Sequence, residues 1–534
     1  MCLSKKILQT KTIILSLFLV SFFSCKSKND TTAQSNGKTN STSPNIIYIL
    51  ADDLGYGDVG AYGQIKIETP NIDALAKNGM LFTQHYSGAP VCAPARSTLL
   101  TGKHLGHSYI RGNDEWAERG NTRDYKAVIK DSTLEGQRPF PKETITLAHL
   151  LQQAGYKTGI VGKWGLGAPN TQSIPTKMGF DYFFGYNCQR QAHTYTPVHL
   201  YENDIRYHLP NDTIAPRTGL TVGADPYALE SYAKYTQPVY SPTLAFDRLM
   251  GFVEQNKNHP FFLYWATPIP HVPLQAPKKW VDYYVEKFGD EKPYYFYENE
   301  NGSYFPVRYP RATYAAMISY LDENIGKLVD YLKNEGLYNN TLIVFTSDNG
   351  PTYTGGADTV WFNSGGPFSS AFGRGKGFLH EGGIRVPMIA AWPDKIKAGT
   401  TTNHISAFYD ILPTVCDITG VSAPKDTDGI SLLNTLTQSG QQQKHEYLYW
   451  EFPESGGQVA VRMGDWKLLW KDLKKGNKNV ELYNLETDLT EQHNIAQQHP
   501  ELVAKLFEII RKEHKTPEIE KFTIKALEEV ANKK

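Results

Sequence analysis

Two mostly apolar runs, each closed by a carboxylate, constrain this chain more than anything else in it. Residues 45–51 read NIIYILA and run into Asp52-Asp53; residues 341–347 read TLIVFTS and run into Asp348-Asn349. Neither run alternates polar with apolar. Each therefore reads as a strand buried on both faces, the kind found in parallel sheets covered by helices. In open α/β sheets ligands gather at the carboxyl ends of strands. Three carboxylates and an amide meeting there would repel one another unless a cation neutralised them. An all-oxygen set suits Ca²⁺, or Mg²⁺, better than zinc. Taken alone, such Asp pairs are also ordinary turn formers.

Further runs carry polar ends. Residues 157–162 lead into Lys163, residues 261–266 lead to Pro268-Ile269-Pro270-His271, and residues 386–391 follow a glycine-rich stretch holding Lys376. Helical patterns lie between them. Thr69 and Pro70 suit N-cap and N1 of one helix. Residues 144–154 form another, stopped by Gly155. A longer one, over 312–334, keeps Met317, Tyr320, Leu321, Ile325, Leu328 and Leu332 on one stripe. This alternation predicts an α/β fold, a large mostly parallel sheet sandwiched by helices. After Gly440 short strands cluster at 447–450, 458–462 and 466–470, and a helix follows over 500–512. They predict a small C-terminal α+β subdomain with a short antiparallel sheet, giving domains at 44–440 and 441–534; residues 516–534 read as a charged helix or a frayed end. Lys+Arg and Asp+Glu both number 55, so charge gives no reason to expect a nucleic-acid partner. Five cysteines, two of them in the leader, are too few for a disulfide scaffold; Cys188 and Cys416 read as ordinary thiols.

The chemistry centres on Cys92-Ala93-Pro94-Ala95-Arg96, followed by Thr101-Gly102-Lys103. The proline suits a helix start, so Cys92 falls at a helix N-terminus, where free N–H groups favour an anion. Cys-x-Pro-x-Arg, together with the strand-end blocks in their order, resembles the type I sulfatases of the alkaline phosphatase superfamily over nearly the whole chain after residue 43. The resemblance implies that Cys92 is oxidised to formylglycine by a formylglycine-generating enzyme. It also implies that Asp52, Asp53, Asp348 and Asn349, with residue 92, hold the cation, that Arg96, Lys163 and Lys376 supply positive charge at the sulfate, and that His271 sits near the leaving oxygen. One oxygen of the hydrated aldehyde attacks sulfur in that family, and its second hydroxyl then expels sulfate. Two departures stand out. Ala95 replaces the usual serine, and Gly165 in Lys163-Trp164-Gly165-Leu166-Gly167 stands where many relatives carry histidine. His193 is the candidate to supply the missing contact.

Long loops at 104–141, 189–242 and 290–310 read as pocket walls, with Arg111, Asn113, Arg190 and His193 as sugar contacts. The expected activity is hydrolysis of glycan sulfate esters. The Gly165 variant with the 187–193 loop resembles enzymes acting on galactose or N-acetylgalactosamine. A phosphate monoester or phosphonate hydrolase of the same superfamily, or a silent glycan-binding lipoprotein, are the alternatives. Upstream, Lys5 and Lys6 precede a short apolar run that ends at Cys25. This reads as a secretory signal over 1–24. It resembles a bacterial lipoprotein signal, which implies acylation of Cys25 and export to the cell envelope, with 25–43 as a flexible tether.

Overall fold

The computed structural model describes residues 43–532; the expected signal, Cys25 and the tether up to residue 42 lie outside the described residues. Fifteen strands are found among the described residues. They are β1 Asn45–Ala51, β2 Met80–Tyr86, β3 Lys157–Lys163, β4 Tyr182–Tyr186, β5 His199–Glu202, β6 Ile205–His208, β7 Phe261–Ala266, β8 Thr341–Ser347, β9 Arg385–Ala391, β10 Thr400–Thr402 and β11 Ser406–Ala407, then β12 Leu448–Phe452, β13 Gln458–Met463, β14 Trp466–Trp470 and β15 Val480–Asn484. The first eleven make one sheet in the order β10-β2-β9-β8-β1-β7-β3-β4-β5-β6, with β11 also on β2. From β8 through β1, β7 and β3 to β4 every pairing is parallel. Antiparallel pairings occur toward the two margins, at β8 with β9, β9 with β2, and β4 with β5.

The unbroken apolar character of β1 has a direct cause. All seven of its residues are buried, and successive side chains feed opposite cores. Ile46, Tyr48 and Leu50 pack with the helices Cys92–Thr101, Leu147–Gln153 and Ile411–Thr419. Ile47, Ile49 and Ala51 pack with Pro70–Lys77, Ser241–Asn256 and the 25-residue Pro310–Asn334. The helix at Pro70 starts where expected, but Thr69 does not cap it. The Asp322 carboxylate, from the long helix, accepts the N–H groups of Asn71 and Ile72 instead, at 3.0 and 2.7 Å.

Strands β12 to β15 form a separate antiparallel sheet in sequence order. It too is buried on both sides. Trp450, Phe452, Ala460 and Leu469 face the main core, while Tyr449, Val459, Val461 and Leu468 face the helix Pro500–Glu513 through Leu506, Ile509 and Ile510. The sheet is thus an added layer on the body, and the described residues form one compact unit. The chain's end closes with a short helix, Lys525–Ala531, whose Leu527 is buried in the same layer. Among the described residues no helix is long and apolar enough to cross a membrane.

Candidate active site

Four neighbouring strands, β8, β1, β7 and β3, run into polar side chains that meet one another. The register of Ala51 with Ser347 sets Asp52 beside Asp348, and the ladder continues past the strand ends through Asp52 N–H to Ile269 O and Asp348 N–H to Ala51 O, both 3.0 Å. Asp53 then turns with φ +66°, a left-handed conformation that aspartate tolerates better than most residues. Its N–H donates to Asp348 Oδ1 at 3.2 Å, and Leu54 N–H donates to Ser347 Oγ at 2.9 Å. The turn carries the Asp53 carboxylate over the ends of β1 and β8.

Asp52, Asp53, Asp348 and Asn349 are fully buried. Carboxylates so placed need positive partners, and three converge. Lys163 Nζ lies 2.6 Å from Asp52 Oδ2, and Lys376 Nζ lies 2.7 Å from Asp53 Oδ2. One Arg96 amino group reaches Asp348 Oδ2 at 2.9 Å and Asp52 Oδ2 at 3.3 Å. Burial raises the Asp52 carboxyl, but the charges of Lys163 and Arg96 overcome it and hold it well below the ordinary carboxylate range. Burial and the Asp52 charge push Asp348 up to about 7 against Arg96, and burial raises Asp53 against Lys376.

The donor set fits a hard divalent cation. Asn349 Nδ2 donates to Asp53 Oδ1 at 2.8 Å and to Gly350 O at 2.9 Å, which fixes the amide, and its buried Oδ1 has no hydrogen-bond partner. Ligand atoms of Asp52, Asp53, Cys92 and His271 lie within 4.8 Å of one another. An orphaned amide oxygen beside three carboxylates is what Ca²⁺ or Mg²⁺ would satisfy.

Cys92 is the first residue of the helix Cys92–Thr101, and its Sγ is 3.3 Å from Asp52 Oδ1. Burial, then the Asp52 charge, push the thiol far above its ordinary range, so it stays protonated and is a poor nucleophile as a thiol. His271 Nδ1 contacts the Val272 carbonyl, which can only accept; the proton therefore sits on Nδ1, and the unprotonated Nε2 lies 3.6 Å from Asp53 Oδ2. His193 stacks on His271 with centroids 5.3 Å apart and planes 10° apart. Burial, with positive neighbours including Lys376, holds both rings well below the ordinary histidine range.

Of the other expected contacts, Asn113 reaches the site. Its Oδ1 accepts the Ala93 N–H at 3.2 Å and Gln189 Nε2 at 3.0 Å. Arg190 stands on the same wall, paired with Glu115 at 2.8 Å. Arg111 does not face the cleft, which corrects its reading as a sugar contact. Its guanidinium is buried and each of its nitrogens is engaged, by Glu451 and the carbonyls of Gly106, Ser108 and Lys515, making it a strut to the C-terminal sheet. Gly165 also finds its reason here. With φ +72°, a Cβ on it would lie 2.6 Å from Gln189 Cγ, so Gln189 fills the space a side chain at 165 would take. Two residues escaped the sequence reading. Tyr304 sets its ring edge-on to both His193 and His271, at 5.2 and 5.8 Å. Glu454, in the β12–β13 turn, lies against Gly112 and the Asn113 N–H. The loop 290–310 read as a wall without naming Tyr304, and nothing in sequence ties a turn at 454 to residue 112.

The family model described as Sulfatase matches residues 44–421, and one described as N-sulphoglucosamine sulphohydrolase, C-terminal, matches residues 373–516. N-acetylgalactosamine-6-sulfatase of Rattus norvegicus is 31% identical over 440 residues, which cover 81% of this chain and 74% of that one. N-acetylgalactosamine-6-O-sulfatase of Bacteroides thetaiotaomicron is 29% identical over 540 residues, covering 90% and 95%. Among solved structures, Ps i-CgsB in complex with k-i-k-neocarrahexaose superposes with a TM-score of 0.69 at 28% identity, covering 92% of this chain and 98% of that one.

Proposed function

The chain belongs to the sulfatase family, type I, of the alkaline phosphatase superfamily, and on that premise we propose that it removes O-sulfate groups from galactose or N-acetylgalactosamine units of a glycan. It is a sulfuric ester hydrolase, and its relatives act on sulfated glycans. One observation carries the reading of the chemistry: an orphaned amide oxygen, three buried carboxylates, three cations and residue 92 meet at the ends of four adjacent strands. The sugar lean rests on the relatives named for N-acetylgalactosamine 6-sulfate.

In this reading a divalent cation, Ca²⁺ or Mg²⁺, held by Asp52, Asp53, Asp348, Asn349 and residue 92, supplies charge against the sulfuryl oxygens when bound. Formylglycine made from Cys92 supplies the nucleophilic hydroxyl when hydrated. The chain's own residues do the rest. Arg96 holds Asp52 and Asp348 in place. Lys163 and Lys376 face the incoming sulfate and stabilise charge that builds on its oxygens. The negative charge of a bound sulfate raises His271, so its Nε2 takes up a proton and gives it to the departing sugar oxygen. The balance is a sulfate ester plus water giving the sugar hydroxyl, sulfate and a proton.

Cys92→Ala is expected to abolish sulfate release from a sulfated-saccharide panel while the melting temperature stays near wild type. Release at the wild-type rate would refute residue 92 as the nucleophile. Mass spectrometry of the peptide containing residue 92 tests for the aldehyde. We also propose that Cys25 is acylated and anchors the enzyme to a bacterial envelope; Cys25→Ala should move it from the membrane to the soluble fraction.

A further inference from the structure

Phe372 is 79% exposed, four residues before Lys376. A phenyl ring in water is costly unless something covers it. Its ring meets Tyr353 edge-on at 5.0 Å and 81°, and Phe378 stands behind it at 6.2 Å. The group adjoins the catalytic cleft. The Lys376 N–H donates to the Pro351 carbonyl at 3.3 Å, which holds the segment carrying Tyr353 beside the lysine. Lys376, whose side chain is 18% exposed while Asp53, Asp52, Asp348, Lys163 and Arg96 are at most 1% exposed, marks the mouth. An aromatic ledge therefore continues outward from the sulfate-facing lysine.

We propose that Phe372 and Tyr353 form a flanking sugar subsite, on which the pyranose ring next to the sulfated residue lays its C–H face. This rests on the glycan-sulfatase reading. A pyranose has one face of axial C–H bonds and a rim of hydroxyls; a ring face suits the first, and open water around the ledge suits the second. The ring contacts of Phe372 are to Tyr353 and Phe378 and not to a group that reacts, so Phe372 adds affinity for a chain and nothing to the cleavage of a small ester.

The test compares 4-nitrophenyl sulfate, N-acetylgalactosamine 6-sulfate, galactose 6-sulfate, and tetrasaccharides carrying each sugar. Phe372→Ala should raise the tetrasaccharide KM about three- to tenfold, the size of one aromatic contact. It should leave kcat/KM on 4-nitrophenyl sulfate unchanged, and Phe372→Trp should restore the tetrasaccharide KM. Calorimetry on Cys92→Ala, with and without Phe372→Ala, should give the same loss of tetrasaccharide affinity without turnover. An equal loss on the aryl ester, an unchanged tetrasaccharide KM, or a dimer that Phe372→Ala dissolves in sedimentation would each overturn the subsite. A wild-type protein that hydrolyses aryl sulfate but neither binds nor cleaves any sulfated saccharide would overturn the glycan reading, and the subsite with it.

Discussion

Arg96 touches three of the four strand ends. One amino group donates to the Lys163 carbonyl at 2.7 Å, closing on β3, and the other bridges Asp348 and Asp52, closing on β8 and β1. Removing one partner of a buried charge cluster leaves the others uncompensated, at about 3–5 kcal/mol. Arg96→Ala is therefore expected to lose about that much in urea unfolding, together with all turnover. Arg96→Lys keeps the charge but not the fork, and should recover part of the stability and little activity. The proposed cation, held by the same carboxylates, would contribute to the fold as well as to the reaction. Stripping it, with elemental analysis to verify removal, should lower both activity and melting temperature; an unchanged melting temperature in verified ion-free protein would argue against a resident ion. Gly165 marks where a single residue can be noticed in sequence without being understood. Its departure from the family pattern is visible in the chain. Its cause is Gln189, 24 residues on and pressed against it.

The elements were legible in proportion to how much burial dictated their pattern. β1 and β8 could be read because both faces are covered, which forces unbroken apolar runs, and their carboxyl ends are adjacent because the two strands pair directly. The long helix, expected over 312–334, runs Pro310–Asn334. The loops were legible as pocket walls with a few polar candidates, Asn113 and His193 among them, but Tyr304 and the packing of Gln189 owe their places to contacts between distant segments. The helix Pro70–Lys77 illustrates the same divide. Sequence finds its start through Thr69 and Pro70, yet its free N–H groups are satisfied across the fold by Asp322. Thr69 Oγ instead accepts the Gly60 N–H at 2.8 Å and donates to Asp73. Asp322→Ala strands two backbone donors and the Asn71 side-chain amide, and should destabilise the protein by about 1–3 kcal/mol. Thr69→Ala should cost that helix no cap. If equilibrium unfolding showed no cost for Asp322→Ala, the cross-fold cap would not be what holds this helix start.

Across the whole molecule, the C-terminal sheet braces the loop that carries Asn113 as well as the core. Arg111 ties the Asn113 loop to Glu451, and His104 on the same segment meets Glu513 of the C-terminal helix at 3.1 Å. Beside them Glu454 is half-buried against Gly112. Burial, against the opposing charge of Lys521, pushes its carboxyl up from 4.5 to about 7. The folded protein then holds that proton more tightly than the unfolded chain does. The resulting stabilisation is complete below about pH 4.5, declines as pH rises, and is gone above about pH 7. Glu451, Glu513 and Asp428, which hold the same junction, are shifted the other way, each by a partner set that includes histidine. Their contribution is present above the ordinary carboxylate range and is lost as pH falls below it, outside the Glu454 window. Other groups also titrate between pH 4.5 and 7, Asp322 among them, so the measurement has to be a difference. Melting temperature for wild type minus Glu454→Gln, taken across that range, cancels every group the two proteins share. It should fall steadily as pH rises toward 7 and then level off. A flat difference would mean that Glu454 is as solvated as a surface carboxylate and that the β12–β13 turn does not close on the Asn113 loop.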